Sequence, residues 1–93
     1  MTFPRVTYAV EVYWAGAAAP AGSPDDALAS AAAELRKEGA HVGYVGCMSL
    51  PAEELAFYLV EAESVAVVHE LLRRVGMTPE RILDARTTGF RAT

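Results

Sequence analysis

From Val6 to Trp14, large apolar residues alternate with smaller or polar ones, which is the pattern of a β-strand with one buried face. Three later segments are rich in the β-branched and aromatic residues that fit a pleated surface. We therefore predict further strands at His41 to Ser49, Glu54 to Ala62 and Arg81 to Thr88. The two glycines inside the second strand indicate a bulge or the close approach of another backbone.

Two other segments repeat apolar residues every three or four positions, which predicts helices with one buried face. The first is expected to begin at Ser23, whose hydroxyl can cap the free amides of a first turn, and to close at Gly39. The second is expected to begin at Ser64 and to close at Gly76 for the same reasons.

The predicted order of elements is β, α, β, β, α, β. Strands joined through a helix favour a right-handed crossover, and the short central link favours a hairpin. A four-stranded antiparallel sheet with both helices on one face satisfies these constraints. We therefore predict that residues 1–93 form a single α+β domain of ferredoxin-like topology.

The third predicted strand is apolar on both of its faces. The residues are Leu55, Phe57 and Leu59 on one face and Ala56, Tyr58 and Val60 on the other. A sheet with one face in water normally alternates apolar and polar residues. A second copy of the chain covering the outer face would account for the pattern, as in a dimeric α/β barrel. The alternative is that the small-residue loop from Ala15 to Gly22 folds over the sheet.

Charge and cysteine content narrow the class of protein. The net charge is −4 and the eight basic residues form no cluster, so neither nucleic acid nor an anionic membrane surface is an expected partner. The chain has no signal-peptide pattern and no apolar run close to the roughly 20 residues that span a bilayer. A single cysteine, Cys47, forms no internal disulfide and is expected to be a small buried strand residue. These features favour a cytoplasmic protein.

Glu11 is the first candidate for chemistry, because it interrupts an apolar strand between Val10 and Val12. If its face lines a dimer cavity, loss of solvent should raise the pKa of the carboxyl group, which could then act as a general acid or base or as a metal ligand. His41, at the start of the second strand, suits proton transfer at neutral pH or metal binding. Alternatively, both side chains are simply solvated.

Glu61 and several aromatic residues complete the candidate site. We expect the third strand to lie beside the first and parallel to it, which would place Glu61 near Tyr13 and Glu11, where two carboxylates could share a proton or bind a cation. Solvation at the strand end is the alternative. Aromatic side chains that could contact a ligand, or simply belong to the core, are Tyr13, Trp14, Tyr44, Phe57 and Tyr58.

The segment from Phe57 to Ala85, FYLVEAESVAVVHELLRRVGMTPERILDA, resembles the end of a bacterial family of small ferredoxin-like proteins of unknown function that includes a nickel-binding member. The strand YAVEV and the stretch EGAHVGYVGCMS are also similar to that family. The resemblance implies a dimeric α/β arrangement and a metal site. The residues that we expect to line such a site, from their types and positions, are Glu11, His41, Tyr44 and Glu61. In this chain Glu11 and Tyr44 stand where histidines would be expected, and His41 is retained.

Three functions remain open from the sequence. The first is a homodimer that binds a divalent metal such as nickel, or a small ligand, in a cavity on the sheet face. The second is a cofactor-free cyclase, isomerase or monooxygenase that acts on an aromatic or polyketide-like metabolite, with Glu11 and His41 as proton carriers. The third is a structural or regulatory module without a ligand.

Overall fold

The computed structural model describes residues 6–13 and 24–88. Its elements, in chain order, are β1 (Val6–Tyr13), α1 (Pro24–Lys37), β2 (Val42–Leu50), a 3-10 turn (Pro51–Glu53), β3 (Leu55–Ala62), α2 (Val65–Val75) and β4 (Arg81–Ala85). The predicted order βαββαβ is confirmed, although β4 ends three residues earlier than expected. Trp14, the loop from Ala15 to Gly22 and the predicted cap Ser23 lie outside the described residues.

The strands form one antiparallel sheet in the order β2-β3-β1-β4. This order fits the predicted ferredoxin-like topology and confirms the α+β class. The expected parallel alignment of β3 with β1 is wrong: Val6 lies opposite Ala62 and Tyr13 lies opposite Leu55. The physical reason is the hairpin between β2 and β3, which reverses the chain before β3 enters the centre of the sheet.

A bulge interrupts β2 where the sequence contains glycine. Tyr44 lies opposite Val60 and Gly46 lies opposite Leu59, so Val45 is the additional residue on β2. Of the two alternatives that the glycines left open, the register shift beside Gly46 supports the bulge. An extra residue of this kind increases the local twist and changes which side chains face each side of the sheet.

The core lies between one face of the sheet and the two helices. A single cluster of buried apolar side chains joins them, and it comprises Tyr8, Val10, Val12, Leu28, Ala31, Ala32, Leu35, Val42, Ala56, Tyr58, Val60, Ala62, Val68, Leu71 and Leu72. Members on β1 and β3 recur at every second residue, as the strand period requires. Both helices therefore cover the same face. The opposite face, called the outer face below, carries no helix of residues 6–13 and 24–88.

Both ends of α2 are fixed by local contacts that the sequence predicted. The Ser64 hydroxyl oxygen accepts a hydrogen bond of 3.4 Å from the Val67 amide. At the other end Gly76 adopts a left-handed conformation with φ of 71°, and the next amide, that of Met77, donates to the carbonyl of Leu72 at 2.9 Å. These caps set where α2 begins and ends between β3 and β4.

An ion-pair network joins the end of α1 to α2. Arg74 donates two hydrogen bonds of 2.7 Å to Glu38 and one of 2.9 Å to Glu70. Arg73 also donates to Glu70, and hydrogen bonds from these two arginines lower the pKa of Glu70 to about 2. Because these groups lie on the helices, they are remote from the outer face.

Across residues 6–13 and 24–88, no helix has the length and apolar content needed to cross a membrane.

Candidate functional site

The outer face of the sheet is apolar over most of its width. The register places Ala9 on β1 beside Leu59 on β3 and Leu83 on β4. Five large apolar side chains on this face are more than one third exposed, namely Tyr13 (48%), Val45 (52%), Met48 (53%), Leu50 (39%) and Leu83 (38%). Exposed apolar area gathered on one surface is typical of a binding surface, whereas single exposed apolar residues are not.

A groove of about 850 Å³ crosses the middle of this face. Its lining consists of Ala9, Val45, Gly46, Cys47, Met48, Phe57, Leu59, Glu61, Ala85, Arg86 and Thr87. Apolar residues from the central strands form most of this lining. The charged residues among them are Glu61 and Arg86, which belong to the end of the sheet where β3 and β4 finish. This groove, called the sheet groove below, has the composition of a small-molecule site: mostly apolar with a few polar groups.

A smaller cleft of about 350 Å³ lies at the opposite end of the outer face. Its lining consists of Glu11, Tyr13, Leu55, Glu80 and Arg81. Arg81 donates to the two carboxylate oxygens of Glu11 at 2.8 and 3.3 Å. The Glu11 side chain is 11% exposed, whereas that of Arg81 is 64% exposed. The carboxylate is thus held beneath a guanidinium that itself remains in contact with solvent.

The pKa of Glu11 is lowered, not raised as expected from burial. Hydrogen bonding from Arg81 is the largest cause, and it outweighs the opposing effect of desolvation, with a further contribution from the positive charge of Arg81. Glu11 is therefore ionised at neutral pH and already engaged by a cation. A group in this state is poorly suited to donate a proton, because the protonated form would give up the ion pair.

Tyr44 lies on the helix-facing side of the sheet, away from the sheet groove. It pairs with buried Val60, and its hydroxyl donates a short hydrogen bond to the carboxylate of Asp25 in the first turn of α1. Burial is the main cause that raises the pKa of Tyr44, and the hydrogen bond to Asp25 reinforces it. Tyr44 thus connects β2 to the start of α1, a structural contact that sequence reasoning interpreted as a ligand.

We predict that Tyr44 remains protonated in the folded protein above pH 10.0, the ordinary pKa of tyrosine. Because folding raises the pKa of Tyr44, the neutral hydroxyl makes its full contribution to the free energy of unfolding below pH 10.0. That contribution decreases as the pH rises from 10.0 through the higher pKa of the folded state. A tyrosinate absorbance titration of folded Tyr44→Phe should therefore match that of the parent protein just above this pH. In denaturant the parent should show one additional ionising tyrosine. A smaller native amplitude in Tyr44→Phe would contradict the prediction.

His41 and Glu61 do not lie near Glu11. Val42 and Val6 both lie opposite Ala62, so His41, the residue before Val42, is beyond the Val6 end of β1. It is about 20 Å along the strands from Glu11. The backbone amide of His41 donates to the Glu63 carboxylate at 3.1 Å. Glu61 lies opposite Thr7 and is on the same face as Glu11, but about 13 Å from it along the strands. The proposed proton carriers Glu11 and His41 are therefore separated.

The four predicted metal ligands, Glu11, His41, Tyr44 and Glu61, do not converge within one protomer. Tyr44 faces the helices, and the other three are spread along the length of the sheet. Within the part of the chain that the structure describes, no group of three or more His, Cys, Asp or Glu residues could hold a metal ion. These residues do not fit a resident nickel site inside the protomer.

The remaining predicted residues divide between the outer face and the core. Phe57 lines the sheet groove and Tyr13 lines the smaller cleft, whereas Tyr58 is only 2% exposed and belongs to the core. The expectation that Cys47 is buried is wrong: it is exposed, beyond the β2 bulge, with its sulfur 3.7 Å from the Ser49 hydroxyl. Every residue of β2 from Cys47 to Leu50 is exposed, so this end of the strand lies beyond the core that the helices cover.

Sequence reasoning missed the two arginines of the outer face. Arg81 and Arg86 lie at opposite ends of β4, and each lines a different concavity. Arg81 is two residues before Leu83 in the same strand, so the two side chains lie on the same face of the sheet, and this spacing is visible in the sequence. That signal becomes informative only when β4 is known to lie beside β1, which brings Arg81 opposite Glu11.

Comparisons with known proteins give no match: no family model, no curated protein and no solved structure is similar to the chain. The resemblance of residues 57–85 to the bacterial family of small ferredoxin-like proteins therefore stays a prediction.

Proposed function

We propose that the protein is a homodimeric binding protein in which the outer faces of two sheets pack together and enclose a small, largely apolar molecule. The observation that supports this most directly is the sheet groove, an apolar concavity of about 850 Å³ on the face of the sheet opposite α1 and α2. Its volume lies in the range of about 300–1,000 Å³ that is typical of small-molecule sites.

A second copy of the chain is the partner that best suits the outer face. In a symmetric dimer both subunits present the same apolar face, so each face is buried against the other. The four strands contain 8, 9, 8 and 5 residues. At a spacing of about 4.8 Å and a rise of about 3.3 Å per residue, they present a flat area of roughly 480 Å² before the relief of side chains is included. This is smaller than the roughly 800 Å² per partner of a standard stable interface. We therefore expect a dimer whose population depends on protein concentration.

A small organic ligand suits the sheet groove better than a metal ion. Apart from Glu61 and Arg86, the charged residues of the groove lining, its walls offer apolar side chains, one thiol and one hydroxyl. Hard and borderline metal ions require several converging oxygen or nitrogen ligands, which apolar walls do not supply. The proposal therefore includes the small ligand and not the nickel ion. It includes no reaction, because Glu11 is ion-paired and His41 lies elsewhere.

The dimer is tested by adding one negative charge to the outer face. Met48→Glu places a carboxylate at a residue that is 53% exposed in the protomer, so the fold should persist while the apolar contact is lost. The matched control is Val65→Glu, which adds the same charge at a residue of α2 that is 44% exposed and lies on the other side of the molecule. Sedimentation velocity over a wide concentration range should show dimers for the parent and the control, and monomers for Met48→Glu.

Two results would contradict the dimer. One is a parent protein that sediments as a monomer at every concentration. The other is loss of the dimer in Val65→Glu but not in Met48→Glu, which would place the interface on the helices. Circular dichroism of both variants verifies that the fold is retained before either result is interpreted.

A further inference from the structure

The two edges of the sheet differ in how well they can accept another strand. β2 forms one edge and β4 forms the other. The register of β2 shifts beside Gly46, and a bulge on an edge strand discourages pairing with a further strand. The register of β4 is regular, and residues 81–88 contain neither proline nor glycine. Among residues 6–13 and 24–88, no strand lies on the free side of β4, which is therefore the edge suited to pairing.

The last part of the predicted fourth strand has no strand beside it in the described protomer. The sequence predicts a strand through Thr88, and Thr87 and Thr88 are β-branched, but pairing with β1 ends at Ala85. In the same register, the two threonines would extend past Val6, the first described residue of β1. A strand on the free side of β4 would supply backbone partners for this segment.

Two opposite charges flank Ala85 at the end of β4. Asp84 and Arg86 are both exposed, and within residues 6–13 and 24–88 neither side chain makes a hydrogen bond or ion pair. The order acid, small residue, base is self-complementary in an antiparallel pair. If a two-fold axis through Ala85 relates two copies of β4, each Asp84 lies directly opposite Arg86 of the other copy. Opposite charges that face each other across two strands stabilise their pairing.

Charge selects this register over its neighbours. A two-fold axis through Asp84 would oppose two carboxylates, and an axis through Arg86 would oppose two guanidinium groups, and like charges directly opposite each other are destabilising. An axis through Leu83 would bring Arg86 to Glu80 but would place Asp84 opposite an apolar side chain. Only the axis through Ala85 gives both charges of the strand end an opposite charge.

We propose that the free edge of β4 pairs with β4 of a second copy, antiparallel and in the register centred on Ala85, and joins two protomers into one eight-stranded sheet. In the protomer Arg86 follows the last paired residue and lines the sheet groove. Pairing extends β4 through Thr88, and the period of two then places Arg86 on the same side of the sheet as Asp84. Because the two-fold axis is perpendicular to the joined sheet, the two outer faces lie side by side.

The edge pairing rests on the proposed face-to-face dimer and enlarges its contact. The outer face of one protomer has a flat area of roughly 480 Å², against roughly 800 Å² per partner in a standard interface. Two eight-stranded sheets would pack with roughly 960 Å² each. The two kinds of two-fold axis together give a closed tetramer. Because a single edge contact is small, we expect face-to-face dimers to form first and to associate at higher concentration through two edge contacts at once.

Charge reversal at the edge tests the register. Asp84→Arg and Arg86→Asp each place like charges opposite each other, so each should raise the dimer–tetramer dissociation constant at least about tenfold. The double variant Asp84→Arg/Arg86→Asp exchanges the charges and should restore the tetramer. An equimolar mixture of the two single variants should also restore it, since each then pairs with the other. Sedimentation velocity over a concentration series measures these changes.

A control and a second measurement locate the contact. Glu34→Arg reverses a charge on the exposed side of α1 and should leave the assembly unchanged. Amides of residues 81–88 should exchange hydrogen more slowly in the parent tetramer than in the dimer of Asp84→Arg, whereas the amides of β2 should not differ. Circular dichroism verifies that every variant retains the fold.

Failure of the edge pairing differs from failure of the face-to-face dimer. A parent that forms dimers but no tetramers, or tetramers that persist in both single reversals, would overturn the edge pairing and leave the face-to-face dimer intact. Tetramers that neither the double variant nor the mixture restores would overturn the register about Ala85. A parent dimer that survives Met48→Glu but is lost in Asp84→Arg would support the edge pairing and overturn the face-to-face contact.

Discussion

Leu71→Ala is expected to lower the free energy of unfolding by about 2–5 kcal/mol. Leu71 has no exposed surface and belongs to the apolar stripe of α2 that packs against the sheet. Truncation to alanine removes buried methyl groups and leaves a cavity that a close-packed interior fills only in part. Urea unfolding at one fixed protein concentration measures the change, and the dependence on denaturant should keep its slope.

Val65→Ala provides the comparison on the same helix. Val65 is 44% exposed, and alanine is a better helix former than valine, so the free energy of unfolding should change by no more than about 0.5 kcal/mol. Similar effects of the two substitutions would contradict the assignment of Leu71 to the core. The contrast tests whether α2 presents the face that the structure shows.

Breaking the Glu11–Arg81 pair is expected to destabilise the protein at neutral pH but not in acid. The folded state lowers the pKa of Glu11 below its ordinary value of 4.5. The stability contributed by the ionised carboxylate is therefore present above that value and is lost as the pH falls through the lower folded pKa. Glu11→Gln should be less stable than the parent at neutral pH, and the difference should disappear once Glu11 of the parent is protonated.

A double-mutant cycle isolates the pair from other effects of the substitutions. Glu11→Gln, Arg81→Met and the double variant give a coupling energy that should favour the pair at neutral pH and approach zero in acid. Arg81→Met alone should reverse the pH dependence of the Glu11 contribution. Burial without the cation raises the folded pKa of Glu11, so this variant should lose stability as the pH rises through that pKa and not as the pH falls. A coupling energy that is the same at neutral and acidic pH would show that the ion pair does not form.

The ion pair also bears on the function of the outer face. A carboxylate that is ionised and bidentately engaged helps to hold β4 against β1 at one end of the sheet. The exposed guanidinium of Arg81 adds a charged group at one end of a face whose middle is apolar. In the proposed dimer the Arg81 guanidinium restricts how two copies align. An alignment that covered it with apolar surface of the partner would remove its water without providing a hydrogen-bond acceptor, which is unfavourable.

Much of the local structure was determined by the sequence itself. The alternation in β1 correctly separated the buried residues Val10 and Val12 from the face that contains Glu11. Ser64 and Gly76 were correctly predicted as the ends of α2, because capping depends on residues within one turn. The apolar outer face of β3 was also correctly predicted, since period-two patterning needs no knowledge of the neighbouring strands.

Only the tertiary structure decided which residues meet across the sheet. Glu11 and Arg81 are 70 positions apart in the chain, and Tyr44 reaches Asp25 across 19 positions. Such contacts depend on strand order, direction and register, and a shift of one residue moves a strand's side chains to the opposite face. The mistaken direction of β3 brought Glu61 to Glu11 in the prediction, whereas the antiparallel register brings it to Thr7 and the Arg86 end of the sheet groove. The sequence therefore determined which residue types were candidates and, for most of them, which face of a strand they occupy. The sites themselves are formed by strand pairing, which brings together segments that are distant in the chain and which local sequence patterns do not specify.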